Sequence, residues 1–499
     1  MNTQDNNLDL SGEFTGRYLL ITAPGNSKSN IKSIKETTGI NLASSLDFEN
    51  SEITAEGLEG YDGFYLNELG VAVISAAQAD KMQSLSQMNL MAADGSTDST
   101  APTIEPERVC RTINENFGSY LKGFSDAAKH LSDNFGNEEA TKQTGADAEE
   151  AEVLAGGSTW GLQVTNVVPS FLRRMPYTGN GIKIAVLDTG FDNNHPDFAG
   201  RSVVGRSFVP GQAVQDGHGH GTHCIGTACG PLTNSGGVDR YGIAYQSQIF
   251  VGKVLNNAGS GADGWILAGI NWAVANRCQV ISMSLGASAN GAGFSAVYEN
   301  AARAALNVGC LIVAAAGNSG NAPVGHPANC PSIMAVGSVD SNLQRSSFSC
   351  VTFYPPHGKV DIAGPGRDVF SAAPMPRRYT TMSGTSMATP HVAGIAALHA
   401  QSNAAYRGGA LWARLTATAR ALPQPVTHVG SGLVQAPFTR IFLPVPFPFP
   451  HPFPPVVFPR PIPIPFPPIS GPIPPRPFTG KKKAVKSATK KAVGSSKKR

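Results

Sequence analysis

The middle of the chain, residues 158–438, alternates short apolar runs with longer segments of helical periodicity. The apolar runs are Ile182–Leu187, Gln248–Val254, Val280–Ser284, Leu311–Ala316 and Ile333–Gly337. Near-continuous apolar runs are typical of the central strands of a parallel sheet that is covered on both faces. Ala262–Asn276 and Ser295–Asn307 predict helices between the strands. We therefore expect an α/β domain with helices on both faces of a parallel sheet, and functional loops at the carboxyl ends of its strands.

Residues 15–110 carry a shorter α/β pattern of the size of a small domain. The pattern predicts strands at Arg17–Ala23, Gly70–Ser75 and Thr103–Val109, and helices at Ile31–Thr38 and Ala76–Leu85. This region is therefore predicted to fold as a compact unit before the larger domain.

Four further segments show no such periodicity. Residues 1–14 are polar and are predicted to be disordered, and residues 111–157 contain an acidic run and are predicted to be an exposed linker. Residues 439–480 are rich in Pro and Phe, which favours extended polyproline II, and residues 481–499 form a Lys-rich tail. We expect the folded part of the protein to end near residue 438.

The charge of the chain is unevenly distributed. The formal net charge is +4, yet Lys481–Arg499 holds eight Lys and one Arg without any acid, so the rest of the chain is acidic. Such a tail can contact nucleic acid or an anionic surface by attraction to phosphate alone. A solvated basic arm held away from the body by the Pro-rich spacer explains the composition equally well.

Cysteine usage and the N-terminus bear on the compartment. The seven cysteines are odd in number and form no Cys-x-x-Cys pair, which fits neither a disulfide scaffold nor a zinc ribbon and predicts at least one free thiol. The first residues lack a basic segment leading into an apolar run, so we expect no standard secretory signal. No run is long and apolar enough to span a membrane. An intracellular location is the default expectation, with export by another route left open.

Candidate chemistry begins with an acid and a histidine cluster. Asp188 follows a predicted buried strand, where it can act in a loop site, although Asp before Thr-Gly is also a frequent turn former. The Gly-rich stretch Asp216–His223 leads into a small-residue helix. His218, His220 and His223 with Cys224 can be metal ligands, or one histidine can be a general base. At this point both alternatives stay open.

A serine and an amide complete the set of candidates. Ser386 begins a helix of small residues, where backbone N–H groups can hold a developing oxyanion and an imidazole can activate the hydroxyl; an N-cap serine is the simpler alternative. Asn318 ends an apolar strand in a Gly-rich turn and can donate to the same oxyanion. Asp, His, Asn and Ser thus stand in this order, each at a junction of one predicted α/β domain.

The sequences Val-Leu-Asp-Thr-Gly, His-Gly-Thr-His and Gly-Thr-Ser-Met-Ala-Thr-Pro-His resemble the three active-site signatures of the subtilase family. The resemblance extends from about Trp160 to Ala436. It implies a subtilisin-like serine endopeptidase in which Asp188 orients the base His220, Ser386 is the nucleophile and Asn318 stabilises the oxyanion. His218 and His223 then become structural residues.

The resemblance also implies how a protein or peptide substrate is held. Ser284, Leu285, Gly286 and Ala314, Ala315, Ala316 are expected to wall the first pocket, while Gly259, Ser260 and Gly261 line the side reached by residues further along. The small walls predict broad specificity. No cofactor is implied as required. Calcium is common in the family, and loose candidates such as Asp192 and Asp197 leave its site unassigned.

The N-terminal region resembles the ferredoxin-like inhibitor propeptide of subtilases, with its final strand through Ile104–Arg108. This implies a self-inhibited precursor, processed within the stretch 114–157, and a monomer. His-Gly-Thr-His-Cys is similar to the proteinase K branch, in which the cysteine under the histidine, here Cys224, is buried.

Two alternatives remain for the chain as a whole. A catalytically silent relative would bind partners through its cleft or its basic tail, but the presence of Asp188, His220, Asn318 and Ser386 argues against loss of activity. A metalloenzyme built on the histidine cluster would be stopped by a chelator and not by a serine-directed fluorophosphonate.

Overall fold

The computed structural model describes residues 8–22, 27–48, 59–82, 103–113, 157–169, 173–289, 293–353 and 358–440. Residues 114–156 of the predicted linker (111–157), the Pro-rich segment after residue 440 and the Lys-rich tail lie outside the described residues. No helix within the described ranges combines the length and apolar character needed to cross a membrane.

Residues 8–113, here called the N-terminal layer, form an antiparallel sheet with one parallel strand at its edge. Its elements are β1 (Phe14–Ile21), α1 (Ser27–Thr38), β2 (Leu42–Ser44), β3 (Gly63–Leu66), β4 (Val71–Ile74) and β5 (Ile104–Thr112). The strand order is β5-β1-β4-β3-β2, with β2 parallel to β3. The predicted helix Ala76–Leu85 begins as a 3-10 turn at Ala76–Gln78, and residues 83–85 are not described.

Both faces of this small sheet are buried, which explains why β4 is apolar throughout. Successive side chains of a strand point to opposite faces. Ala72 and Ile74 pack under α1 with Leu20 and Ile34, whereas Val71 and Val73 belong to the main core of the large domain. One face therefore builds the core of the N-terminal layer, and the other face docks it.

The larger part of the chain supplies the remaining elements. They are α2 (Trp160–Val164), β6 (Arg173–Arg174), β7 (Lys183–Asp188), β8 (Val203–Ser207), α3 (His220–Cys229), β9 (Gln248–Lys253), β10 (Ser260–Ala262), α4 (Asp263–Ala275), β11 (Val280–Met283), β12 (Leu285–Gly286), α5 (Ala296–Asn307), β13 (Leu311–Ala315), β14 (Met334–Val339), β15 (Ile362–Pro365), β16 (Val369–Ala372), β17 (Tyr379–Met382), α6 (Thr385–Ser402), α7 (Gly408–Thr418), α8 (Val426–Val429) and β18 (Thr439–Arg440).

Seven strands form one parallel sheet in the order β15-β14-β13-β11-β7-β9-β8. Alternate residues of β7 enter two different cores: Ala185 and Leu187 pack with α4 and α5, and Ile184 and Val186 pack with α3 and α6. Helices thus cover both faces, and the predicted α/β fold is confirmed. The five predicted strands are the five inner ones of the sheet.

Three predicted segment limits differ from the structure. Residues 8–13, predicted as part of a disordered terminus, are ordered because Leu8 and Leu10 pack beside Trp265 and Val209. Arg111 and Thr112, predicted as the start of a linker, belong to β5. At the other end, Thr439–Arg440 pairs with Arg173–Arg174 before the described residues stop.

Strand β5 joins the N-terminal layer to the large domain. Beyond its pairing with β1, it pairs antiparallel with β10 and β12. A buried ion pair lies at this junction: Arg17 Nε donates to Glu107 Oε2 at 2.6 Å, with the two side chains 5% and 0% exposed. Glu107 Oε1 also accepts from Gly264 N, in the first turn of α4, at 2.7 Å. The pair therefore connects both parts of the fold.

We expect Arg17→Ala and Glu107→Ala each to lower the free energy of unfolding by about 3–5 kcal/mol, because each leaves a buried charge without its partner. Urea unfolding of the full chain, with Ser386→Ala in every variant to keep it intact, measures the loss. The matched control is Lys32→Ala, which breaks the exposed pair with Glu36 and should cost less than about 1 kcal/mol. Equal, small losses in all three variants would contradict this assignment.

Candidate active site

The carboxyl end of β7 places Asp188 beside His220. Asp188 is the last residue of the strand and is buried. Its Oδ1 atom accepts from His220 Nδ1 at 2.7 Å and from the backbone N–H of Thr189 at 2.8 Å. Because these donors hold the carboxylate, it in turn fixes the plane and the Nδ1-protonated form of the imidazole.

His220 begins helix α3 after a loop that depends on glycine and on a second acid. Gly219 has a φ of 100°, a left-handed conformation that favours glycine. Asp216 Oδ1 accepts from the backbone N–H groups of His218 and Gly219, and Oδ2 accepts from the N–H and hydroxyl of Thr222. Sequence reasoning missed this role of Asp216, although an acid at the start of the Gly-rich stretch was the available signal.

The electrostatics of His220 are set by burial and by Asp188. Burial alone lowers the pKa of the imidazole, but the charge and hydrogen bond of Asp188 outweigh it, so that the pKa lies well above its ordinary value. Cys224 Sγ is 4.0 Å from His220 Nδ1 and is buried, and burial raises the pKa of this thiol. The thiol is therefore neutral, and Asp188 is the group that stabilises an imidazolium.

The structure does not bring the side chains of His218, His220, His223 and Cys224 together as one set of metal ligands. His223 Nε2 contacts the carbonyl of Val369 at 3.0 Å, and burial lowers its pKa to about 3. In the described part of the chain, the ligand-type atoms that gather around His220 are those of Asp188 and Cys224, not of His218 and His223. His223 is a neutral, buried structural residue.

Ser386 is the second residue of the long helix α6. Pro390, four residues later, has no N–H, so the Ser386 carbonyl lacks its usual helical donor. Ser284 Oγ donates to this carbonyl at 2.8 Å, and Cys224 Sγ lies 3.6 Å from it. The serine is thus held by the loop after β11 as well as by its own helix.

The carbonyl oxygen of Ile113, one residue past β5, lies between two donors. It accepts from Ser386 Oγ at 2.6 Å and from Asn318 Nδ2 at 2.8 Å. Asn318 is oriented by its other atom, since Oδ1 accepts from both the N–H and the hydroxyl of Thr385 at 2.9 Å. A Cβ atom on Gly384 would lie 3.0 Å from both Asn318 Nδ2 and the Ile113 carbonyl. Glycine at 384 therefore keeps this site open.

With Ile113 in place, the serine hydroxyl does not pair with the imidazole. Ser386 Oγ donates to Ile113 O and lies 3.1 Å from Ser284 O. Among the described residues, His220 Nε2 and Asp188 Oδ2 have no hydrogen-bond partner. His220 Nε2, the ring atom that would accept a proton from a nucleophile, is buried and accepts no hydrogen bond from a described residue.

The predicted substrate-binding segments flank the end of β5. Ser260 pairs with Arg111 and Gly261 with Cys110 on one side, and Leu285 pairs with Thr112 on the other. Gly259 O accepts from the backbone N–H of Thr112 at 2.9 Å. The main chain of residues 110–112 is therefore held between two strands of the large domain.

A cavity of about 360 Å³ adjoins the side chain of Ile113. Its lining includes Gly286, Ala287, Gly317, Asn318 and Gly325. Of the predicted wall residues, Gly286 lies in it, Ser284 contacts Ser386 instead, and Ala314, Ala315 and Ala316 are buried in and just after β13 without being among the lining residues.

The two loose calcium candidates already have protein donors on their carboxylates. Asp192 accepts from the backbone N–H of Met375 and from Gln215 Nε2. Asp197 accepts from Ser235, Tyr241 and Tyr379 hydroxyls. These hydrogen bonds give both carboxylates a structural role in holding the surrounding loops.

Known proteins match this chain over the large domain. The sequence model described as the subtilase family matches residues 179–432. Subtilisin of Bacillus pumilus is 39% identical over 277 residues, which cover 54% of this chain and 95% of that protein. M-protease of Shouchella clausii (strain KSM-K16) is 41% identical over 292 residues, covering 58% of this chain and 72% of that protein.

Among solved structures, a cold adapted subtilisin-like serine proteinase matches 56% of this chain and 98% of its own, with 34% identity and a TM-score of 0.47. The chain belongs to the subtilase family of serine endopeptidases.

Proposed function

We propose that this endopeptidase cuts its own chain after Ile113 and is then inhibited by the N-terminal layer. The observation that carries this proposal is the Ile113 carbonyl, which is held by Ser386 Oγ and Asn318 Nδ2. A carbonyl in contact with both a nucleophile and an oxyanion donor has the geometry of a bond about to be cleaved. That bond is Ile113–Asn114, at the N-terminal boundary of the stretch 114–157 in which processing was expected from the sequence.

The reaction requires the Ser386 hydroxyl to rotate so that its hydrogen, which now points at Ile113 O, points at His220 Nε2. Ser386 Oγ attacks the Ile113 carbonyl carbon while His220 Nε2 takes its proton, and Asp188 stabilises the imidazolium. Asn318 Nδ2 donates to the oxygen as it becomes negative. The imidazolium then protonates the leaving nitrogen of Asn114, and water attacks the acyl-enzyme by the same route in reverse. Among the described residues, His220 Nε2 has no hydrogen-bond partner, which supports its proposed role as the atom that takes the proton.

Two acids of β5 support the proposal that the cleaved layer stays bound. Glu105 accepts from Ala296 N at 2.7 Å and from Ser295 Oγ at 2.6 Å, at the start of helix α5. Glu107 accepts from Gly264 N at the start of α4. Acids at helix N-termini satisfy free N–H groups and oppose the positive end of the helix dipole. Cutting at Ile113 leaves all these contacts in place.

Broad specificity for extended protein segments follows from how β5 is held. Recognition by backbone pairing with Ser260–Ala262 and Leu285–Gly286 does not depend on the side chains of the substrate. The cavity beside Ile113 leaves room for an apolar side chain larger than isoleucine. We therefore expect the enzyme to cut many extended sequences after apolar residues.

The first test follows intact mass after incubation with a fluorophosphonate probe. We expect the wild type to yield a fragment ending at Ile113 and a fragment beginning at Asn114, which is labelled once the bound N-terminal layer has been released, whereas Ser386→Ala stays intact and unlabelled. The matched control is Ser383→Ala, because Ser383 contacts only the loop residue Asp368 in the described structure and should be dispensable. A wild type that is neither cut nor labelled would favour the catalytically silent relative.

Replacing Asn318 by Asp tests the oxyanion role. This variant keeps an oxygen that can accept from Thr385 but replaces the donor to Ile113 O by an acceptor. We expect the rate of self-cleavage to fall by about 10²–10³-fold. Asn321→Asp, beside Arg345 in the same turn region, is the control and should process at the wild-type rate. Equal rates for both variants would remove Asn318 from the mechanism.

The rate of self-cleavage should also depend on pH in a defined direction. His220 must be neutral to take a proton, and its raised pKa means that lowering the pH already slows the reaction above pH 6.5. Asp188→Asn removes the group that raises this pKa, so the acid limb should move to lower pH while the maximal rate falls on the order of 10⁴-fold. An acid limb that stays in place in Asp188→Asn would contradict the pairing.

A further inference from the structure

A polar pocket lies beneath Cys110, three residues before Ile113. Arg111 is exposed, but the Cys110 side chain is fully buried. Gly261 pairs with Cys110, so the fourth residue before the proposed cleavage point is held in register by backbone contacts. The position of this side chain is therefore set independently of its chemistry.

Asp263 forms the floor of the pocket. Its Oδ1 atom accepts from Tyr298 OH at 3.0 Å, lies 3.2 Å from His326 Nε2, and accepts from Cys110 Sγ at 3.3 Å. The Asp263, Tyr298 and His326 side chains are all buried, and the rings of Tyr298 and His326 meet edge to face at 4.6 Å. These three residues, here called the acidic pocket, lie outside the Asp188–His220–Ser386 group.

The second carboxylate oxygen binds main chain. Asp263 Oδ2 accepts from the backbone N–H of Arg108 at 2.9 Å, a contact that any extended peptide can make. The contact to Cys110 is different because it needs a donor on the side chain. A carboxylate that is sealed from water is stabilised only by the donors that reach it. An apolar side chain at this position would exclude water from Asp263 and offer no donor in exchange.

We propose that the acidic pocket makes this protease prefer, at the fourth residue before the cleaved bond, a side chain that donates a hydrogen bond over an apolar side chain of equal size. Cysteine, serine and threonine meet this requirement. The inference rests on the proposed function, because it uses Ile113 as the residue that supplies the cleaved carbonyl. It adds a selectivity that the backbone pairing alone does not give.

Threonine and valine test the preference because they differ by a hydroxyl in place of a methyl. The substrates are fluorogenic peptides with the sequence of residues 108–116, in which position 110 is Thr or Val. The enzyme is the full-length chain after self-processing and separation from its N-terminal layer, and its active sites are counted by fluorophosphonate labelling of a parallel sample. We expect kcat/KM to be about tenfold or more higher for the Thr peptide, the size of a lost hydrogen bond to a charged group. The control pair places Thr or Val at position 111, where the side chain is exposed, and should show no difference.

Asp263→Val locates the effect in the acidic pocket. This variant removes both acceptors, so the Thr peptide should lose its advantage while Ser386 is still labelled. If that variant is not labelled, the wild-type enzyme alone decides: its Thr-to-Val ratio of kcat/KM at position 110 is compared with the same ratio at position 111. Equal kcat/KM for the Thr and Val peptides at position 110 would overturn this inference and leave the proposed function intact. Failure of the wild type to cut any peptide or to be labelled would overturn the proposed function first.

Discussion

The register of strand β5 fixes which of its own groups meet the large domain at the site. Its backbone pairs with β1 of the N-terminal layer and with β10 and β12 of the large domain. Because side chains alternate along a strand, a slip by one residue would turn Cys110 out of the acidic pocket and move the Ile113 carbonyl away from its donors. Glu105 and Glu107 would also leave the starts of their helices. One ladder of main-chain hydrogen bonds thus sets four separate contacts.

Buried acids are the second shared feature of the site, and each one accepts hydrogen bonds from neighbouring donors. Asp188 is held by His220 and Thr189, Asp216 by the loop before His220, and Asp263 by Tyr298 and Arg108 N. Leaving such a carboxylate unpaired is costly, so these donors restrict the loops to one arrangement. The donors of Asp188 and Asp216 belong to the large domain itself, so these two acids are in position before a substrate arrives, which lowers the reorganisation needed for reaction.

The sequence predicted the inner strands well and the edges of the sheet poorly. The inner strands carry runs of buried apolar residues, whereas β8 is mostly exposed or half-buried and β15 contains Gly364 and Pro365, which are turn signals. Asp188, His220, Asn318 and Ser386 were recognisable because each stands at a junction of predicted elements. The roles of Asp216, Gly384 and Asp263 were not, since they arise from contacts between distant parts of the chain. Arg111–Ile113 was assigned to a linker for the same reason: its partner strands lie more than a hundred residues away.

On the proposed function, the same strand is first substrate and then inhibitor, and the contacts explain how both are compatible. Cleavage breaks one bond beyond Ile113 but leaves the backbone pairing, the helix-terminal acids and the Arg17–Glu107 pair unchanged. An ordinary extended peptide makes only the backbone contacts and pays the full cost of ordering on binding. The described residues of the N-terminal layer are ordered by their own sheet and core, so that cost is already met within this layer. Tight binding of the product therefore comes from the fold that presents β5, and the cleft itself can remain permissive toward other sequences.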